Sequence, residues 1–224
     1  MKPALVSEMV SALEAKDFST AAHTWRVVLY TRALADDAGL DHDQVDRLSY
    51  AAALHDIGKI DIPDEILRKP GPLTGEEFAL MRTHAARGHE RLVAMGETDP
   101  VLLQLVRHHH ERIDGRGYPD GLSGDGVPLA AAFFAVIDSF DAMTSVRPYR
   151  SAVGPEAARL AVRELHEHAG SRYLAEAVKR FSRLHDAGHL TWIMEYYNDT
   201  CAVPAYDDIA RLREITPLGG GRPR

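Results

Sequence analysis

"RHHHERIDGRGYPDGLSGDG", residues 107–126, decides how the rest of the chain is read. Three consecutive histidines run into Glu111, and after them comes a loop with Gly115, Gly117, Gly121, Gly124 and Gly126 around a lone aromatic, Tyr118. Adjacent imidazoles make a poor core, because each carries polar nitrogens that need partners when buried. Just upstream, "VLLQLV" (101–106) sets Leu105 and Val106 four residues before His109 and His110. These two histidines therefore continue an apolar helical face, while His108, four after Gln104, falls on the wetter side.

Working outward, the periodicity is helical nearly throughout, and alternating strand patterns are almost absent. Ser19 or Thr20 is expected to cap a helix running to about Asp37, with Gly39 as its stop. Asp41 or Asp43 starts the next, with the apolar stripe Val45, Leu48, Ala52, ended by Gly58. "IPDEIL" before "KPGPL" reads as a short helical turn in a loop. Thr74 with Glu77 forms a capping box for a helix carrying Phe78, Met81, Ala85 and Leu92. Asp99 and Pro100 fit the cap and first position of another, and Pro128 opens one rich in Ala and Phe. Two or three more helices fit between Pro155 and Asn198. The fold class expected is all-α.

Polar residues recur on the inner faces of these helices. His55 extends the Val45, Leu48, Ala52 stripe and is followed by Asp56; His84 lies three after Met81; Asp138 is four after Phe134; His23 is four before Val27. A single such residue would read as a hydrogen-bonded core group or a helix cap. Five helices each pointing a histidine or aspartate inward read differently, because that much buried titratable chemistry is costly without compensation. A metal centre compensates it, with neutral imidazoles and ionised carboxylates as ligands. Mixed His and Asp donors without thiolate favour Fe or Mn over structural Zn. Seven ligands exceed what one ion with open positions needs, so two ions sharing one aspartate is the economical arrangement.

Composition sets the bounds. With 224 residues, 45% apolar and 26% charged, the chain suits one soluble domain or one with an appendage. A formal charge of -7 argues against broad nucleic-acid binding. Cys201 is the only cysteine, so no internal disulfide forms and a reducing compartment is the simple reading. "MKPALVSEMVSALEAKDF" is no signal peptide, and no run of about 18 apolar residues marks a membrane span, so a cytoplasmic protein without a membrane partner is expected. Val6, Met9, Val10 and Leu13 share a helical stripe that fits a homodimer contact and a packed core helix equally well. "PLGGGRPR" reads as a disordered tail.

The ordered set "HDIGK" (55–59), "HHE" (109–111), "DGRGYPDGL" (114–122) and "DSFDAMTSVRPYR" (138–150) resembles the HD-GYP domain. This is a bacterial branch of the HD metal-dependent phosphohydrolases that degrades cyclic di-GMP, and the resemblance runs from about Asp17 to Ala177. It implies an HD-domain-like helical bundle with additional C-terminal helices: an N-terminal helix over 1–16, a catalytic domain over 17–183, and a C-terminal helix and tail over 184–224. It assigns one metal to His23, His55, Asp56 and Asp138, and a second to Asp56, His84, His109 and His110, with Asp56 bridging. Some relatives hold a third metal through a glutamate four residues before the first histidine; Ser19 stands there, so two divalent ions are expected, Fe or Mn with Ni as a further fit. His108 is left as a surface or supporting residue.

The implied reaction is hydrolysis of cyclic di-GMP to pGpG and on to GMP by a hydroxide held between the two ions, with Asp56 and Lys59 as catalytic residues. Lys59 would contact the phosphate or help protonate the leaving oxygen. Gly117, Tyr118, Arg147 and Arg150 would bind substrate, the arginines at the second phosphate or a guanine edge. Asp141 reads as an arginine partner or a support for the ligands. Alternatives are another cyclic dinucleotide such as cyclic GMP-AMP, or a signalling module that uses the glycine loop to bind a partner protein. The chain departs from the family pattern at Asp61, where glycine is frequent, at Ala132, where arginine is common, and in "AGSRYLAEAV", which lacks an acidic-proline pair.

Overall fold

A computed structural model describes residues 3–16, 20–145 and 154–196. Among these residues the chain is helical, with two isolated bridges, Asp114 to Ser123 and Ala169 to Tyr173, in place of any strand. The helices are α1 (Pro3–Lys16), α2 (Thr20–Asp37), α3 (His42–Leu54), α4 (Asp64–Leu67), α5 (Gly75–Arg82), α6 (His84–Ala94), α7 (Pro100–His108), α8 (Leu129–Thr144), α9 (Gly154–Glu167), α10 (Ala175–Asp186) and α11 (Thr191–Tyr196). Two short 3-10 turns, Ile57–Asp61 and Gly124–Gly126, join them. None of the described helices is long and apolar enough to cross a membrane.

The expected caps are in place. Asp41 and Gln44 form a reciprocal capping box on α3, Thr74 and Glu77 form one on α5, and Asp99 accepts from the N–H groups of Val101 and Leu102 ahead of Pro100. Each satisfies backbone donors that the first helical turn leaves without partners. α2 packs along α3; α7 lies against both α3 and α6; α8 crosses α2 and α7. α8 is apolar on most sides, with Ala131, Phe134, Val136, Ile137 and Phe140 buried, as a central helix must be. α9 and α10 pack on it as well, and Phe140 meets Phe181 of α10 at 4.7 Å and Tyr30 of α2 edge-on at 5.7 Å.

Two boundaries differ from the periodicity. The stripe from Phe78 to Leu92 is split at Thr83 into α5 and α6. The Thr83 hydroxyl and the His84 ring both bond carbonyls of the last turn of α5, Leu80 and Met81, and the chain turns there. Phe78 consequently leaves the core stripe and is 51% exposed. α3 ends at Leu54, ahead of Gly58, and the chain tightens into the 3-10 turn, placing Asp56 at the junction.

Val6, Met9, Val10 and Leu13 are all in the core, so the stripe on α1 is used within the chain, against α3 and the Ile57–Asp61 turn. The expected boundary at 183/184 falls inside α10, whose Leu184 is buried. Ser19, Arg147, Arg150, Cys201 and the C-terminal tail lie outside the described residues.

Gly58 fixes the distance between the 3-10 turn and α6. A Cβ there would stand 1.9 Å from the His84 carbonyl oxygen and 2.5 Å from the Gly88 nitrogen, both backbone atoms that cannot swing away. Gly58→Ala is expected to cost about 3 kcal/mol of stability by forcing the two elements apart. A urea unfolding midpoint equal to that of the parent protein would show that the contact is slack.

Candidate metal centre

Four helix ends and one helix middle bring the polar residues together. His55 caps α3, His84 opens α6, His109 and His110 follow α7, His23 comes from α2, and Asp138 from α8. His55 Nδ1 lies 2.7 Å from the Ala52 carbonyl, His84 Nδ1 2.8 Å from that of Met81, and His109 Nδ1 2.9 Å from that of Val106. A carbonyl only accepts, so each Nδ1 carries the hydrogen and each neutral ring presents a bare lone pair on Nε2. His23 is set the same way by a carboxylate, Asp141 Oδ2 at 2.8 Å.

The freed nitrogens face one another. His23 and His55 Nε2 are 3.3 Å apart, and His84 and His109 Nε2 are 3.2 Å apart. Asp56 lies between the two pairs, with Oδ2 3.2 Å from His55 Nε2 and Oδ1 3.3 Å from His84 Nε2 and 3.9 Å from His109 Nε2. Asp56 Oδ1 is buried and accepts no hydrogen bond among the described residues. Acceptors crowded against acceptors in a dry site call for a cation. Two groups have ligand atoms mutually within 4.8 Å: His23, His55 and Asp56, and His84, His109 and His110. Asp138 Oδ1 lies 3.5 Å from His23 Nε2. The donor chemistry and the orphaned carboxylate oxygen therefore fit a metal, and all seven residues expected as ligands converge.

The surroundings keep the set ready to bind. Burial drives His84, His109 and His110 below the ordinary imidazole value, His110 to about 3, and leaves them neutral. Burial alone would lower His55 as well, but Asp56 outweighs it and raises that ring. Burial would raise Asp56, yet His55, Lys59 and His84 together hold it well below the carboxylate range. Lys59 Nζ donates to Asp56 Oδ2 at 2.6 Å, which ties the lysine to the centre instead of leaving it at an exposed helix end. Asp141 is fully buried; against its desolvation, bonds from His23 and from Arg26, at 2.6 and 3.0 Å, bring it to about 2. It supports His23 and pairs with an arginine at once.

The glycine loop is held by a residue whose role the sequence did not disclose. The buried Glu111 carboxylate accepts three backbone N–H groups, from Asp120 and Gly121 at Oε1 (2.7 and 3.0 Å) and Leu122 at Oε2 (3.1 Å). Gly117 is required by a close approach to the end of α7: a Cβ would come 2.4 Å from Glu111 Cα and 2.5 Å from the Arg112 nitrogen. The loop thus presses its own backbone against the helix end. Tyr118 packs on His110 at 4.7 Å between ring centroids, and the Arg82 guanidinium lies over its ring at 4.6 Å. His108 turns away from the cluster to Asp120, 2.9 Å off, which Arg107 also grips. Asp61 pairs with Arg91 at 2.5 Å, and Ala132 is buried in α8. Beside the histidines opens a cleft of about 380 Å³, lined by His109, His110, Gly117, Tyr118 and Asp138 and by four arginines, Arg82, Arg112, Arg116 and Arg172.

A profile of the HD domain family matches residues 6–176. The chain is 40% identical over 183 residues to a cyclic di-GMP phosphodiesterase of Thermotoga maritima, covering 80% of this chain and 48% of that protein. It is 41% identical over 214 residues to a cyclic di-GMP phosphodiesterase of Pseudomonas aeruginosa, covering 92% and 51%. It is 40% identical over 150 residues to the 3'3'-cGAMP-specific phosphodiesterase 2 of Vibrio cholerae, covering 65% and 28%. Among solved structures, the PgpH HD domain of L. monocytogenes in complex with cyclic-di-AMP is similar with a TM-score of 0.58 at 16% identity, over 81% of this chain and 94% of that one. Bd1817, an HDG"Y"P protein from Bdellovibrio bacteriovorus, is similar with a TM-score of 0.56 at 20% identity, over 73% and 51%. At such identities these two bear on the fold, which is the all-α HD fold. The chain belongs to the HD domain family, and its motifs and relatives place it in the HD-GYP branch. That family is metal-dependent, and the His and Asp cluster is able to hold metal. The chain spans about half the length, or less, of these curated relatives.

Two outcomes follow from this geometry. Unfolded imidazoles take protons near pH 6.5, about where folded His84, His109 and His110 remain neutral. The unfolded chain then binds more protons, so the metal-free fold loses stability as pH falls below about 6.5; His55 acts in the opposite sense, one ring against three. The urea midpoint of metal-free protein is expected to drop between about pH 7.5 and 5, and to drop less in His110→Asn; a flat midpoint would contradict the burial of neutral rings. Glu111→Ala is expected to speed amide exchange at Asp120, Gly121 and Leu122 by about tenfold or more; unchanged exchange would mean the loop is anchored elsewhere.

Proposed function

We propose that the chain carries a metal-dependent cyclic di-GMP phosphodiesterase activity, opening the ring to pGpG and cutting on to GMP. The observation that carries this reading is Asp56, whose two oxygens face two separate groups of bare imidazole nitrogens beside an arginine-lined cleft. His23, His55, Asp56 and Asp138 would hold one divalent ion, and Asp56, His84, His109 and His110 a second. Imidazole and carboxylate donors suit Fe or Mn, with Ni as a further fit. When bound, two such ions supply charge neutralisation for a phosphodiester and acidify water at neutral pH.

The chain's own residues do the rest. The Nδ1 bonds to Ala52, Met81, Val106 and Asp141 keep the rings oriented and in the binding tautomer. Lys59, held beside Asp56, supplies positive charge where negative charge grows on the phosphate and is the candidate proton donor to the departing 3′-oxygen. Gly117 and Tyr118 form the wall of the substrate cleft. Arg147 and Arg150 are proposed as further substrate contacts on sequence grounds alone.

The test is anaerobic reconstitution with ferrous iron or manganese, incubation with cyclic di-GMP and, in parallel, 3′3′-cGAMP, and separation of products. The parent protein is expected to form pGpG and GMP, with cyclic di-GMP consumed faster. Asp56→Ala is expected to lower turnover by about a thousandfold or more and to lose bound metal. Faster turnover of 3′3′-cGAMP would move the reading to that substrate, and turnover of neither with metal fully bound would overturn it.

A further inference from the structure

The proposed reaction concerns one phosphodiester, but a cyclic dinucleotide carries two. The second must also leave water, and it brings a full negative charge with it. Asp138 lines the cleft as well, and Glu111 is engaged by three backbone donors. Arg112 is neutralised by Asp114 through two bonds of 3.0 and 2.5 Å. Among the described residues, three of the cleft's four arginines, Arg82, Arg116 and Arg172, have no carboxylate within ion-pair distance, although the chain's net charge is -7 and most of its other described arginines are paired.

Two of these three, Arg82 and Arg172, are held by aromatic rings. The Arg82 guanidinium lies 4.6 Å from the centre of the Tyr118 ring, and that of Arg172 5.1 Å from the Tyr173 ring. Stacking on an aromatic fixes the plane of a guanidinium while its N–H fork stays open for an oxyanion. The loop bearing Arg172 is tied to the glycine loop, since the Ile113 N–H donates to the Arg172 carbonyl at 3.4 Å. Arg82 comes from α5 and Arg172 from the α9–α10 connection, so the two enter one cleft from different elements. Resting on the function proposed above, we infer that Arg82 and Arg172 form a clamp for the phosphodiester that is not being cut, and so select two-phosphate ligands over one-phosphate ones.

The experiment uses metal-loaded protein and two probes. Bis(p-nitrophenyl) phosphate has a single phosphodiester and reports the reacting centre alone. Cyclic di-GMP is used as a substrate and also as an inhibitor of that reaction. In Arg82→Ala and Arg172→Ala, KM for cyclic di-GMP and its inhibition constant are expected to rise about tenfold or more, while bis(p-nitrophenyl) phosphate hydrolysis stays within about twofold of the parent. Arg82→Lys, which keeps the charge without the fork, is expected to fall between. Arg159→Ala, which removes a distant paired charge, is expected to change neither. Equal losses on both probes, or no loss on either, would overturn the clamp. If the parent binds cyclic di-GMP without cutting it, the functional reading fails, yet the inhibition constants still decide the clamp. If the parent neither cuts nor binds it, both fall.

Discussion

Everything at the centre of this fold depends on one repeated hydrogen bond, from a histidine Nδ1 to the carbonyl three residues earlier at a helix end. His55, His84 and His109 all make it. The bond satisfies a carbonyl that the helix leaves without a partner, and it fixes the tautomer in the same stroke. It also commits Nε2 to face inward as an acceptor. Three rings set this way, with His23 set by Asp141, leave the middle of the bundle full of lone pairs and one buried carboxylate oxygen that no donor among the described residues reaches.

Such a core cannot relax by small movements. The Ile57–Asp61 turn touches α6 where Gly58 meets the backbone of His84 and Gly88, so the turn that carries Asp56 and the helix that starts at His84 hold a fixed spacing. Arg26 and Asp141 form a buried ion pair behind His23, an arrangement that costs desolvation and is weak evidence of stability in its own right. Its use is orientation, since the carboxylate that Arg26 holds is the one that aims the His23 ring. Glu111 does comparable work for the loop, replacing a packed side-chain core with three backbone bonds to a single carboxylate.

Much of this is legible in the sequence, for physical reasons. Helical periodicity sees which face of a helix is buried, so spacing alone places His23, His55, His84, His109, His110 and Asp138 inward. Capping residues announce helix starts, and Asp41, Thr74 and Asp99 do so. Periodicity does not see a turn made by side chains bonding their own backbone, so the break at Thr83, and with it the exposure of Phe78, is hidden. Nor does it distinguish a stripe that meets a partner from one buried within the chain, which is why the α1 stripe fits either role in the sequence. Glu111 lies in plain view beside three histidines, but its partners are amides nine to eleven residues on, and amides carry no sequence signature. Arg26, one helical turn after His23, is the one support that spacing could have found.

On the function proposed, the clustered nitrogens and Asp56 would hold two cations. Crystals of protein loaded with iron or manganese, measured at the absorption edge of the metal, test it directly. Two anomalous peaks are predicted on either side of Asp56, one against Nε2 of His84, His109 and the ring of His110, the other against His23, His55 and Asp138. Folded protein with no anomalous signal at this cluster, or with signal confined to surface groups such as His108 and Asp120, would contradict the account.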